Sequence, residues 1–106
     1  MDDPTWREEF HGPGVTATVR CNWGRCLVEV LLERDHTQRV GQVQFEVLLQ
    51  SRDQRGLPRG APALVCAMQI PLRLRPDGKM LGGHGWLPPE MGAALVRRCH
   101  FRVTPC

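Results

Sequence analysis

From Leu64 to Leu74 every second residue is apolar: Leu64, Cys66, Met68, Ile70, Leu72 and Leu74. The positions between them, Val65, Ala67, Gln69, Pro71, Arg73 and Arg75, become steadily more polar along the run. Side chains of an extended chain point to opposite sides in turn. The stretch therefore reads as one long β-strand with a buried face and a wetter one. This pattern commits the chain to a β-rich class. Pro71 falls on the outward face, so the strand lies at a sheet edge there or bends.

The same period recurs upstream. Val15, Ala17, Val19 and Cys21 alternate with Thr16, Thr18, Arg20 and Asn22, and Asn22-Trp23-Gly24-Arg25 reads as a tight reversal. Cys26 to Glu33 returns, with Val28, Val30 and Leu32 on one side and Leu27, Glu29 and Leu31 on the other. From Val40 to Gln50, Val43, Phe45, Val47 and Leu49 oppose Gln42, Gln44, Glu46, Leu48 and Gln50, the cleanest apolar-in, polar-out strand of the chain. Ser51 to Gly60 is a polar, arginine-bearing loop, and Pro76-Asp77-Gly78-Lys79 is a turn sequence. Gly82-Gly83-His84-Gly85 reads as a flexible connector with Trp86 packed on the core, and His100 to Thr104 as a final strand.

A helix is expected near 89–98: Pro89 suits its first turn, Glu90 its positive end, and Arg97 and Arg98 its negative end, with Met91, Ala94 and Leu95 as its apolar stripe. Residues 1–13 show no sustained period and read as an N-terminal arm with one short helical turn around Trp6–Phe10, while 14–106 form a single β-rich domain. The expected fold is thus α+β, mainly β. It is an antiparallel sheet of about five strands, a meander or partly open barrel, with one C-terminal helix. With 106 residues the chain is long enough to bury one core. No apolar run approaches the roughly 20 residues of a membrane span, and the N-terminus, Met1-Asp2-Asp3, lacks a secretory pattern; the expected compartment is the cytoplasm.

The net charge of +3 is unevenly spread. Residues 1–51 carry five Arg against eight acids, whereas residues 52–106 carry eight Arg and Lys79 against three. Convergence of Arg52, Arg55, Arg59, Arg73, Arg75, Lys79, Arg97, Arg98 and Arg102 would create a patch for a phosphate backbone, so nucleic-acid binding is one alternative. Another is a zinc-stabilised module built on Cys21, Cys26, Cys99 and His100, although four residues separate Cys21 from Cys26 where a zinc half-site normally has two. Cys21 and Cys26, flanking the reversal, also suit a disulfide; buried inert thiols are the default.

Catalytic patterns are scarce. Ser51 is the only serine and has no histidine near it in sequence, Glu8-Glu9 and Glu29/Glu33 read as solvated charges, and the glycine-rich segment lacks phosphate-loop spacing. The expectation is a non-enzymatic protein, needing no cofactor, that acts by protein–protein contact as an adaptor, inhibitor or phage or viral accessory protein. Apolar residues on outward positions (Leu27, Leu31, Leu48, Val65, Ala67) point to a covered second face and a homo-oligomer. The partner-binding residues expected are Trp23, Arg73, Arg75, His84 and Trp86.

Overall fold

A computed structural model of the chain describes residues 6–12, 14–22, 25–34 and 40–106. Its elements are β1 (Trp6–Gly12), β2 (Val15–Asn22), β3 (Arg25–Glu33), β4 (Gln42–Leu49), β5 (Ala63–Pro71), β6 (Arg73–Leu74), β7 (Met80–Trp86), α1 (Ala93–Val96) and β8 (His100–Pro105). They form two antiparallel sheets, a five-stranded one in the order β1-β2-β3-β7-β6 and a three-stranded one in the order β5-β4-β8. The mainly-β expectation holds, with one short helix; the sheet is doubled and not closed into a barrel.

The inner faces of the two sheets share one core. The five-stranded sheet contributes Val15, Ala17, Val19, Cys21, Cys26, Val28, Val30 and Leu32, and the three-stranded sheet contributes Val43, Phe45, Val47 and Ile70. These are the inward positions of the alternating runs, and the polar positions between them form the outer faces. Phe45 stacks on Phe101 of β8 with ring centroids 5.6 Å apart, closing the three-stranded layer from one side.

Four local expectations are corrected. First, the run from 64 to 74 is not one strand. β5 ends at Pro71 on the edge of the three-stranded sheet, and after Leu72 the chain joins the edge of the five-stranded sheet as β6. Pro71 has no N–H to donate and stands where the chain leaves its ladder, so the edge and the bend both occur. Nor does the apolar set share one buried face. Val47 lies opposite Cys66 but Leu48 lies opposite Leu64, so β5 carries one extra residue at Val65. That bulge reverses the phase of the alternation and turns Leu64 outward beside Leu48. Ile70 is buried, whereas Leu64 is 55% exposed.

Second, Gly82 to Trp86 is a paired strand between β3 and β6, not a connector. Its inward glycines make room for β5. A Cβ on Gly83 would stand 2.2 Å from the Pro71 carbonyl oxygen and 2.8 Å from Ile70 Cγ2, and one on Gly85 would touch Met68 Cε at 3.4 Å. The two sheets are joined at this close approach, which any side chain at residue 83 would prevent. Third, Trp6–Gly12, expected as an arm with a helical turn, is β1, paired along its full length with β2.

Fourth, the helix expected near 89–98 is reduced to the four residues of α1. Gly92 is extended (φ −66°, ψ 159°) and separates α1 from a turn in which Met91 N–H donates to the Pro88 carbonyl. The break shifts the helical phase, so Met91 and Val96 are buried while Ala94 is exposed.

Cys21 and Cys26 face each other across β2 and β3 with Cα atoms 4.0 Å apart, and they form a disulfide, not the inert thiols expected by default. The separation is that of the narrow antiparallel pair, in which facing side chains come closest. The bond is buried at the end of the core.

Gly83→Ala should cost about 3 kcal/mol or more in urea unfolding, because the clash is with backbone, while Gly41→Ala, with open space around it, should stay within about 0.5 kcal/mol. Protein denatured without reductant should titrate three thiols, Cys66, Cys99 and Cys106, and reduction should lower stability by about 2 kcal/mol; five thiols would show that the bond does not form.

Candidate functional site

The register of the five-stranded sheet places its outward side chains in cross-strand rows. One row holds Arg7, Arg20, Leu27 and Trp86. The next holds Glu9, Thr18, Glu29 and His84. A third holds His11, Thr16, Leu31, Gly82 and Arg73, and Arg75 follows Arg73 on the same face. Each position follows from the two-residue period of its strand together with the pairing of the strands.

Four of the five residues expected to meet a partner, Arg73, Arg75, His84 and Trp86, thus come together on this exposed face. The fifth, Trp23, lies outside the described residues. Trp86 was expected on the core; it points away from it and is 51% exposed. The reason is parity: Gly83 and Gly85 occupy the inward positions of β7, so Gly82, His84 and Trp86 must face out. The Arg25 guanidinium carbon lies 4.6 Å from the Trp86 ring centroid, a cation–π contact at the surface.

Carboxylates thread between the cations. Arg7 donates to Glu9 Oε1 at 2.6 Å, and His11 Nε2 lies 3.2 Å from Glu9 Oε2. Arg20 pairs with Glu29. These contacts are solvent-exposed and contribute little to stability. Between them lies a shallow depression of about 320 Å³, lined by Arg7, Arg20, Arg75, Thr16, Thr18 and Glu29, together with Val30 and Leu31. The Arg75 stem lies flat over Gly82, its Cδ 3.3 Å from where a Cβ would stand, so the missing side chain at residue 82 is what lets Arg75 reach inward. Arg7, Arg20 and Arg25 also belong to this face, although no motif in their local sequence singles them out. The signal for them was the outward parity of β2 and β3, which charge counted by sequence halves conceals.

The nine cations of the nucleic-acid alternative do not gather in one patch. Arg73 and Arg75 are on the outer face of the five-stranded sheet, whereas Arg102 is on the opposite outer face, where its Nε donates to Glu46 Oε1 at 2.8 Å. Arg52, Arg55 and Arg59 sit in the loop between β4 and β5, Lys79 in the turn before β7, and Arg97 and Arg98 after α1.

The zinc site is corrected as well. The sulfurs of Cys21 and Cys26 are bonded to each other, and among the described residues no group of three or more His, Cys, Asp or Glu is placed to hold a metal ion. Cys99 is buried and its thiol is directed at the Leu95 carbonyl oxygen, 3.2 Å away, while His100 is exposed. Burial pushes the Cys66 and Cys99 thiols up, away from the thiolate form that metal ligation and nucleophilic attack require. No helix among the described residues is long and apolar enough to cross a membrane. No family model, no curated protein and no solved structure matches the chain.

Two carboxylates tie surface structure to pH. The Arg102 hydrogen bond holds Glu46 below the ordinary carboxylate range, and the backbone N–H groups of Lys79 and Met80 do the same for Asp77 in the turn before β7. A carboxyl depressed in the folded state contributes stability that is present above its unfolded pKa and lost as pH falls through the folded value. Asp77→Asn and Glu46→Gln should each shallow the fall in unfolding midpoint below roughly pH 4, with the neutral-pH fold retained by circular dichroism.

Proposed function

We propose that the chain is a non-catalytic binding protein that works by contact with another protein, using the outer face of the five-stranded sheet. The observation that supports this most is the meeting of Arg73, Arg75, His84 and Trp86 on one exposed surface, with Arg25 on the Trp86 ring and Leu31 36% exposed beside them. Tryptophan and arginine are the residues most enriched where protein interfaces concentrate their binding energy. A planar cation resting on an indole also keeps a large side chain ordered before binding, which lowers the entropy lost on contact. What the face offers is guanidinium forks, hydroxyls and an indole ring, and the reading is recognition and not turnover.

The outer face of the three-stranded sheet supports self-association as part of the same proposal. Leu64 is 55% and Val65 37% exposed at the bulge, with Leu48 opposite Leu64 and Ala67 outward along β5. An apolar strand face at a sheet edge is sheltered most simply by a second copy, which would bury the same patch from both sides.

Capture from host extract tests the first part. A protein retained by the wild type, lost with Trp86→Ala or Arg73→Glu and kept with Arg102→Gln on the opposite face would support the reading; retention unchanged by either of the first two substitutions would sink it. Light scattering tests the second: twice the 12.0 kDa chain mass is expected, falling to the single mass with Leu64→Asp. A wild type that is monomeric at all concentrations would remove self-association.

A further inference from the structure

We infer that the partner presents an acidic, extended segment to this face, its carboxylates held by Arg7, Arg20 and Arg75. The inference rests on the protein-binding reading above and adds the chemistry of what is bound.

Arg7 and Arg20 stand directly opposite each other across β1 and β2. Like charges in facing cross-strand positions destabilise a sheet unless neighbouring carboxylates offset them. Each is tied to a carboxylate beside it, Arg7 to Glu9 and Arg20 to Glu29. Arg75 makes no ion pair within 4 Å among the described residues, the Asp77 carboxylate feeling its charge only at longer range, and it reaches the same depression across Gly82. The depression is therefore lined by three guanidiniums and one carboxylate, that of Glu29, with the hydroxyls of Thr16 and Thr18 between them. With Arg7 and Arg20 each sharing a carboxylate, the charge left over is that of Arg75, and the donors around it are the forks and hydroxyls that match carboxylate oxygens.

The spacing of the face suits a chain and not an isolated ion. Successive rows on a strand are roughly 7 Å apart, two residues of rise. A peptide laid parallel to β2 and β3 presents its own alternate side chains at that same interval. Carboxylates along it would meet the Arg7/Arg20 row at one end and Arg75, or Arg73 beside it, further along. Leu31 and Trp86 provide apolar ground for the residues between. A single nucleic-acid strand fits less well, since it requires open aromatic platforms for its bases and one face of Trp86 is covered by Arg25.

The test uses the whole chain and three labelled probes read by fluorescence anisotropy at low ionic strength: capped hexaglutamate, capped hexaglutamine and a single-stranded oligothymidylate. Hexaglutamate should bind and hexaglutamine should not. Arg75→Gln should weaken hexaglutamate binding roughly tenfold, the loss expected for one hydrogen-bonded charged contact, and raised salt should weaken it further. Arg102→Gln, a surface cation of the opposite face, should leave it unchanged. Arg7→Gln serves as a second variant at the depression, and all three substituted side chains are exposed, so folding is checked simply by circular dichroism. Equal binding of the two peptides, binding insensitive to Arg75→Gln and Arg7→Gln, or capture of the oligothymidylate alone would overturn the inference. Should hexaglutamate fail while the captured host protein still depends on Trp86, the acidic chemistry falls and the protein-binding face stands.

Discussion

The passage of the Ile70–Pro71 backbone over Gly83 joins the two halves of this molecule. There the chain leaves β5 in one sheet and enters β6 in the other, and both sheets are brought to the distance at which their valine-rich inner faces share a core. Excluded volume at one residue sets that distance. A sheet-on-sheet core is only as deep as the side chains that fill it, and here these are mostly Val with Phe45 and Ile70, so a spacer at the crossover would leave the core underpacked. The Cys21–Cys26 disulfide fixes the β2–β3 end of the same core by a covalent bond, independent of the crossover.

The requirement for glycine on the inner side of β7 has consequences on its outer side. With Gly83 and Gly85 inward, His84 and Trp86 have no choice but to face solvent, and Gly82 becomes the slot over which Arg75 lies. The proposed binding face is therefore a by-product of the packing constraint as much as a separate feature. The residues that let the sheets meet also decide which side chains are offered to solvent. Cations drawn from β1, β2, β3 and β6, remote in sequence, share a surface because consecutive rows of one sheet place them there.

Much of this was legible in the residues. The strands β2, β3 and β4 and the identity of their buried positions follow from alternation alone, because each has one face on the core and one in water. Arg73, Arg75, His84 and Trp86 were legible as candidates, whereas the packing of Trp86 on the core, expected from reading its segment as a connector, does not occur. The 64–74 run misled because a single extra residue at Val65 reverses parity, and alternation carries no mark of where a bulge falls. The glycines of β7 misled because glycine weakens strand propensity, and only the strand packed against it shows why no side chain is allowed. The helix was overestimated because a proline start and an arginine end outlined it, whereas Gly92 in extended conformation interrupts it.

By itself, then, the order of residues determined the class of structure, the strands with two distinct faces and some of the residues of the proposed binding face. These are local properties, fixed by a two-residue period and by side-chain chemistry. The tertiary structure alone decided that there are two sheets, that Cys21 and Cys26 are bonded, that the second-half cations are divided between opposite faces, and that Arg7 and Arg20 face each other beside Arg75. Each of these depends on which strands pair and in what register, and pairing is settled by the joint burial of distant segments and the steric fit between them.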